Sequence, residues 1–145
     1  MEIIADLHIH SCFSRATSRD MNFRNIEKGA AAKGLDVLGT GDFTHPRWRE
    51  EIRGLEHDGE GIYRLPGGHT AYVISGEVAT IFEKGGRSRR IHHLILMPSL
   101  EVAEQLCEAL AKKGDLKTDG RPMLHMTGAE LVEAVTDLGE WCLVI

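Results

Sequence analysis

The chain has little cysteine, and what it has is dispersed. Cys12, Cys107 and Cys142 are the three cysteines of 145 residues, and no two of them make a Cys-x-x-Cys pair. That argues against a disulfide framework or a zinc ribbon and fits a reducing cytosol. A basic leader followed by an apolar segment is also missing, and no apolar run approaches the roughly 20 residues that span a bilayer. A cytoplasmic protein with no membrane partner is expected. Positive charge is not in excess: 17 Lys and Arg stand against 22 Asp and Glu, a net charge of -5 with histidine neutral. No global field draws nucleic acid to such a chain, although a local patch or bound divalent metal would serve. The remaining composition, 42% hydrophobic and 27% charged, is that of a globular protein. The length suits one core and is short for a complete eightfold βα barrel.

The chain opens on an apolar run that ends in Asp6, His8 and His10 at alternate positions. On a short strand those three side chains share one face, at its C-terminal end. Asn22 is placed to cap a helix through about Lys33, with Gly34 as its stop. Residues 35–40 read as a second strand that empties into the tight Gly41-Asp42-Phe43-Thr44-His45-Pro46 loop. A short helix is expected over 47–55 with Trp48, Ile52 and Leu55 on one side, followed by a surface excursion over 56–68. Residues 71–75 read as a strand ending at Gly76-Glu77, with 78–82 continuing apolar. Lys84-Gly85-Gly86-Arg87 is a hairpin turn, and residues 90–97 return as a strand. Ser99 caps a helix with Leu100, Ala103, Leu106 and Leu110 on its stripe and Gly114 at its end. Residues 115–125 form a polar connection. Thr127 and Glu130 match a capping box for a helix with Leu131, Val135 and Leu138 buried, closed by Gly139. A final strand covers 141–145. Strands alternating with helices predict an α/β fold of βα units with a mainly parallel sheet, whose active site lies at the strands' C-terminal ends.

The histidines and acids fall near those ends. His8 and His10 end the first strand, Asp42 and His45 follow the second, and Glu77 follows the third. Taken singly, each suits a turn or a solvated strand end. Together they make a nitrogen and oxygen donor set suited to more than one ion of zinc, manganese or iron, with Glu77 able to bridge. His92 and His93 project to opposite faces of the return strand, so at most one faces the site; His93 is taken as that one. Arg15, close to the first strand end, suits a phosphate, because guanidinium pairs bidentately with phosphoryl oxygens. Lys84, Arg87, Arg89 and Arg90 make a basic hairpin, and Arg47-Trp48-Arg49 joins charge to a stacking surface; either could follow a DNA backbone.

Asp6-Leu7-His8-Ile9-His10-Ser11, Gly41-Asp42-Phe43-Thr44-His45, Gly76-Glu77 and His93-Leu94-Ile95-Leu96 resemble the first motifs of the polymerase and histidinol phosphatase (PHP) superfamily of metal-dependent phosphoesterases. The resemblance implies a distorted TIM-like (β/α) barrel, here with a β-hairpin insertion, and two or three divalent ions, with magnesium a further candidate metal. It implies that His8, His10, Glu77 and His93 are ligands, that Asp42 or His45 supplies another, and that Asp6 is a nearby acid orienting a histidine. Three stretches narrow it: His10-Ser11-Cys12-Phe13-Ser14-Arg15-Ala16-Thr17-Ser18, Gly39-Thr40-Gly41-Asp42-Phe43-Thr44-His45-Pro46 and Arg89-Arg90-Ile91-His92-His93-Leu94-Ile95-Leu96 are similar to the endonuclease Q family. Its members nick DNA beside deaminated bases such as uracil and hypoxanthine. The expectation is therefore a metal-dependent phosphodiesterase with DNA as partner. The alternatives are a PHP phosphatase for a small phosphate monoester and a non-catalytic metal-binding or interaction fragment. By the same resemblance, residues 1–145 correspond to the N-terminal portion of a PHP domain. The metal site would then be incomplete, and the open barrel edge free to self-associate.

Overall fold

The computed structural model describes residues 2–145. Met1, the first residue of the expected opening strand, lies outside the described residues. In chain order the elements are β1 (Ala5–Asp6), α1 (Phe23–Lys33), β2 (Val37–Gly39), α2 (Pro46–Arg53), β3 (Glu56–His57), β4 (Tyr63–Arg64), β5 (Ala71–Lys84), β6 (Arg87–Met97), α3 (Leu100–Leu110), β7 (Met123–His125), α4 (Gly128–Thr136) and β8 (Leu143–Val144).

The helices sit where their end signals put them. The Asn22 side chain accepts the Asn25 N–H at the start of α1, and Gly34 ends it at a φ of +68°, where a Cβ would be strained. Ser99 accepts the Val102 N–H to open α3, and Thr127 and Glu130 make both bonds of the capping box on α4. The end of α3 differs from expectation: the helix stops at Leu110, and residues 111–113 continue only as turns before Gly114. Gly114 packs so close to β7 that a Cβ there would lie 2.2 Å from the Met123 carbonyl oxygen.

The sheet is mixed. Parallel pairing joins β1 to β2, β2 to β5 and β5 to β7, while β3, β4, β6 and β8 pair antiparallel. The expected strand over 71–75 and its apolar continuation are one strand, β5, which pairs with four others. Val73 and Ser75 accept the N–H groups of Thr40 and Phe43, and Ala79 donates to the Pro122 carbonyl. Main-chain groups at odd positions point to one edge, so β2 and β7 lie on the same edge of β5, separated along it. Glu77 falls in that interval, as ligand-bearing residues do where neighbouring strands of an open sheet diverge. The 56–68 excursion also carries order, because β3 and β4 form a small hairpin whose Tyr63 is buried and pairs with Tyr72.

The core gathers between this sheet and the helices. Trp48, Ile52, Tyr72, Ile74, Ile95, Leu106 and Leu124 are fully buried, and Leu55 is nearly so, as the 47–55 pattern predicted. Among the described residues no helix is long and apolar enough to cross a membrane. Exposed apolar side chains gather toward the termini, at Ile3, Ile4, Trp141, Leu143 and Ile145.

Glu27 ties α1 to the start of β5. Its carboxylate accepts the N–H groups of His69 (2.7 Å) and Thr70 (3.0 Å) and the hydroxyl of buried Tyr72 (2.9 Å). Burial alone would raise the Glu27 carboxyl, but these donors outweigh it and hold the group below its ordinary 4.5. Glu27→Ala is therefore expected to cost about 1–3 kcal/mol near neutrality, since it strands three donors. Because the folded-state pKa is the lower one, the wild-type advantage is complete above the unfolded-state pKa. It is lost as the pH falls through the folded-state value. Urea unfolding of both proteins at about pH 7 and about pH 3 checks this, with a gap at the first that narrows at the second.

Candidate metal centre

The two histidines of the opening run follow β1 rather than ride on it. Strand pairing ends at Asp6, and residues 7–10 cross the sheet end without a strand partner. Two glycines let them do so: a Cβ on Gly39 would lie 2.3 Å from the Leu7 carbonyl oxygen, and one on Gly41 would lie 2.4 Å from that of Ile9. Only a residue without a side chain permits backbone to pass this closely, and Gly41 also adopts a φ of +67°. His8 and His10 thus arrive side by side, their ring centroids 5.2 Å apart.

Glu77 meets them from β5. Its Oε2 lies 2.7 Å from His8 Nε2 and 3.4 Å from His10 Nε2, and the three donor atoms all lie within 4.8 Å of one another. Its Oε1 is taken by His92 Nδ1. Burial raises the Glu77 carboxyl, whereas hydrogen bonds from His92 and His8 and the charge of His10 lower it, and the balance falls below the ordinary value. Two imidazole nitrogens and one carboxylate oxygen at this separation suit zinc, manganese or iron(II).

Asp42 is fully buried and touches none of the other donors except His10. Its Oδ1 lies 3.1 Å from His10 Nδ1, while Oδ2 accepts the Ser11 N–H (2.7 Å), the Ser11 hydroxyl (2.6 Å) and the Ser14 hydroxyl (2.9 Å). Burial pushes this carboxyl up, but the His10 ring and the serine donors prevail and hold it ionised. The lid over it is Gly120, where a Cβ would lie 2.4 Å from the Asp42 carboxyl carbon. Both oxygens being engaged, Asp42 orients His10 by accepting from its Nδ1–H, which turns Nε2 toward Glu77. The resemblance implied Asp42 or His45 as a further ligand; the structure sets the Asp42 carboxylate against His10 Nδ1 and the serine donors, outside the His8, His10 and Glu77 group.

The other expected residues are distributed as follows. His45 begins α2, stacks on Phe13 (4.5 Å between centroids) and shares a hydrogen bond between its Nε2 and the Lys117 carbonyl; burial drives it toward the neutral form. It does not join the His8, His10 and Glu77 cluster. Asp6 accepts the His8 main-chain N–H (3.2 Å) rather than a ring. His93 contacts Thr80 Oγ1 (3.0 Å) and packs against Gly128, on the face opposite Glu77. The choice between the two adjacent histidines therefore comes out reversed, with His92 beside the acid. Arg15 is 71% exposed and lies 3.6 Å from Asp119. Arg87, Arg89 and Arg90 are exposed on β6.

No known family profile matches the chain. An uncharacterised protein of Methanocaldococcus jannaschii is 42% identical over 135 residues, covering 92% of this chain and 15% of that one. Among solved structures, the lesion-specific endonuclease PfuEndoQ of Pyrococcus furiosus superposes with a TM-score of 0.84 at 30% identity, over 98% of this chain and 33% of its own. An endonuclease Q bound to a 27-mer duplex with an abasic lesion at its active site gives 0.83 at 32% identity, over 97% and 33%. The chain thus resembles endonuclease Q, as its motifs implied, and spans about a third of the length of those structures and 15% of the curated relative.

Proposed function

We propose that this chain carries part of the catalytic centre of a divalent-metal-dependent DNA endonuclease that cuts a phosphodiester beside a damaged nucleotide, an abasic site or a deaminated base. The observation that carries the reading is the convergence of one donor atom each from His8, His10 and Glu77 within 4.8 Å of one another. The resemblance to lesion-specific endonucleases supports DNA as the substrate class. His8, His10 and Glu77 would hold the cation, which when bound supplies hydroxide at neutral pH and offsets phosphoryl charge. Asp42 keeps the His10 proton on Nδ1, and His92 fixes the Glu77 carboxylate by its second oxygen.

The test is nicking of labelled duplexes that contain one deoxyuridine, one deoxyinosine or one abasic site, beside an undamaged duplex and a small phosphate monoester. Damaged duplexes are expected to be cut, chelation to abolish cutting and added manganese or zinc to restore it. Partners behind a ligand already cost 10–100-fold when removed, so His8→Ala and Glu77→Gln should each lose at least about 100-fold. Cutting that survives chelation or both substitutions overturns the reading. Turnover of the monoester alone favours a phosphatase.

A further inference from the structure

We propose that the groove walled by Arg15, Arg90 and Arg121 binds the sugar–phosphate strand that continues away from the scissile bond; this rests on the nuclease reading above. The register of β5 and β6 puts the groove beside the metal residues. Glu77 opposes Leu94, Ala79 opposes His92 and Ile81 opposes Arg90, so Glu77, His92 and Arg90 lie on one face of the hairpin. Across β5 the same face receives Met123 and His125 of β7, opposite Ala79 and Ile81. Ala79, Arg90, His92, Met123 and His125 floor a cleft of about 560 Å³, and His92 belongs both to it and to the Glu77 contact. Anything seated there lies against His92, one hydrogen bond from Glu77.

The far wall is basic and fixed. Arg121 donates to the Arg15 carbonyl oxygen (2.8 Å), which pins the loop carrying Arg15 to the loop before β7. Two acids also line the cleft, but both are engaged in holding its walls. Asp119 accepts the N–H groups of Arg15 (3.2 Å) and Arg121 (3.0 Å), and Asp115 accepts the Lys117 N–H and the Thr118 hydroxyl. The Arg15 guanidinium stays largely exposed, held at 3.6 Å by Asp119, a separation that a bidentate phosphate contact would better. On a chain of net charge -5, three guanidiniums around one cleft are a local exception. Guanidinium is the group suited to planar, two-point recognition of phosphoryl oxygens. Arg87 and Arg89, by contrast, share the opposite face with His93 and Val78, so the basic hairpin divides by face.

The test uses the full chain and fluorescence anisotropy of a duplex with one abasic site, titrated from about 50 to about 300 mM KCl. Each phosphate contact contributes about 0.7–0.9 to the slope of log affinity against log salt, so Arg15→Ala/Arg90→Ala/Arg121→Ala should lower that slope by about two to three. Arg90→Ala alone, an exposed substitution on β6, should lower it by about one, and Lys28→Ala/Lys33→Ala on α1 should leave it unchanged. Manganese titration by calorimetry on the same variants is expected to show wild-type binding. That readout separates the two proposals: lost metal binding in the parent chain counts against the nuclease reading, whereas metal binding with an unaltered salt slope overturns the groove. A slope that falls only with Arg87→Ala/Arg89→Ala, or a parent chain that does not bind the duplex, overturns the groove as well.

Discussion

Asp42→Asn is expected to weaken manganese or zinc binding by about 10–100-fold while leaving a folded chain. The carboxylate accepts from His10 Nδ1 through one oxygen and from three serine donors through the other. Asparagine has one acceptor oxygen and one NH2 donor. With its oxygen on the serine side, its NH2 faces His10 Nδ1 and turns that nitrogen into an acceptor. The imidazole proton then moves to Nε2, the atom directed at Glu77, and the lone pair needed by a cation is gone. Asparagine also tolerates the left-handed backbone that Asp42 adopts, at a φ of +46°. The comparison therefore isolates proton placement from chain geometry. Asp42→Ala is the harsher variant, because it strands the Ser11 N–H and two hydroxyls in a buried site at about 1–3 kcal/mol apiece. Calorimetric titration with each metal, beside urea unfolding, distinguishes these effects; wild-type affinity in Asp42→Asn would contradict the assigned role.

Trp48→Ala should destabilise the chain by about 3–5 kcal/mol, the range for deleting a large buried aromatic. For a chain of this length that corresponds to a melting temperature lower by roughly 10 °C or more. Trp48 is fully buried, stacks on Phe23 at 4.3 Å between centroids, and donates its indole N–H to the Thr40 and Gly41 carbonyls at 3.1 and 3.0 Å. Those carbonyls lead directly into Asp42, so the side chain joins the core to the loop behind the metal residues. Trp48→Phe keeps most of the volume and removes only the donor, which lowers the expected cost to about 1–3 kcal/mol. Thermal unfolding of the pair measures the difference. Equal losses would mean that the indole bonds, and not the packing, dominate.

Much of this architecture was legible in the residues because it depends on local signals. Asn22 and Gly34, Ser99, and the Thr127 and Glu130 pair bracket their helices by hydrogen bonds that neighbours in sequence supply. β7 was not legible: Met123, Leu124 and His125 are too few to show a period and become a strand only because β5 offers them an edge. The small hairpin of β3 and β4 depends likewise on pairing with Tyr72. The choice between His92 and His93, however, was available. Gly85 and Gly86 both take positive φ, as a two-residue hairpin turn requires, so Lys84 must pair with Arg87. Counting back from that pair sets Glu77 against Leu94, and His92 shares the Leu94 face. His45 and Asp42 differ in a way no spacing reveals. The left-handed turn at Gly41 and Asp42 directs one side chain under His10, while the chain then carries the other onto Phe13.

The pairing pattern of β5 also orders the assembly of the centre in time. Glu77 and His92 are 15 residues apart and come together as soon as a hairpin with a two-glycine turn closes. Glu77 and His8 are 69 residues apart, and their meeting awaits parallel pairing of β1, β2 and β5, whose loop-closure entropy makes it slow. A folding chain thus holds one acid and one histidine ready early, and brings His8 and His10 of the candidate centre to them only with the slower non-local pairing of the sheet.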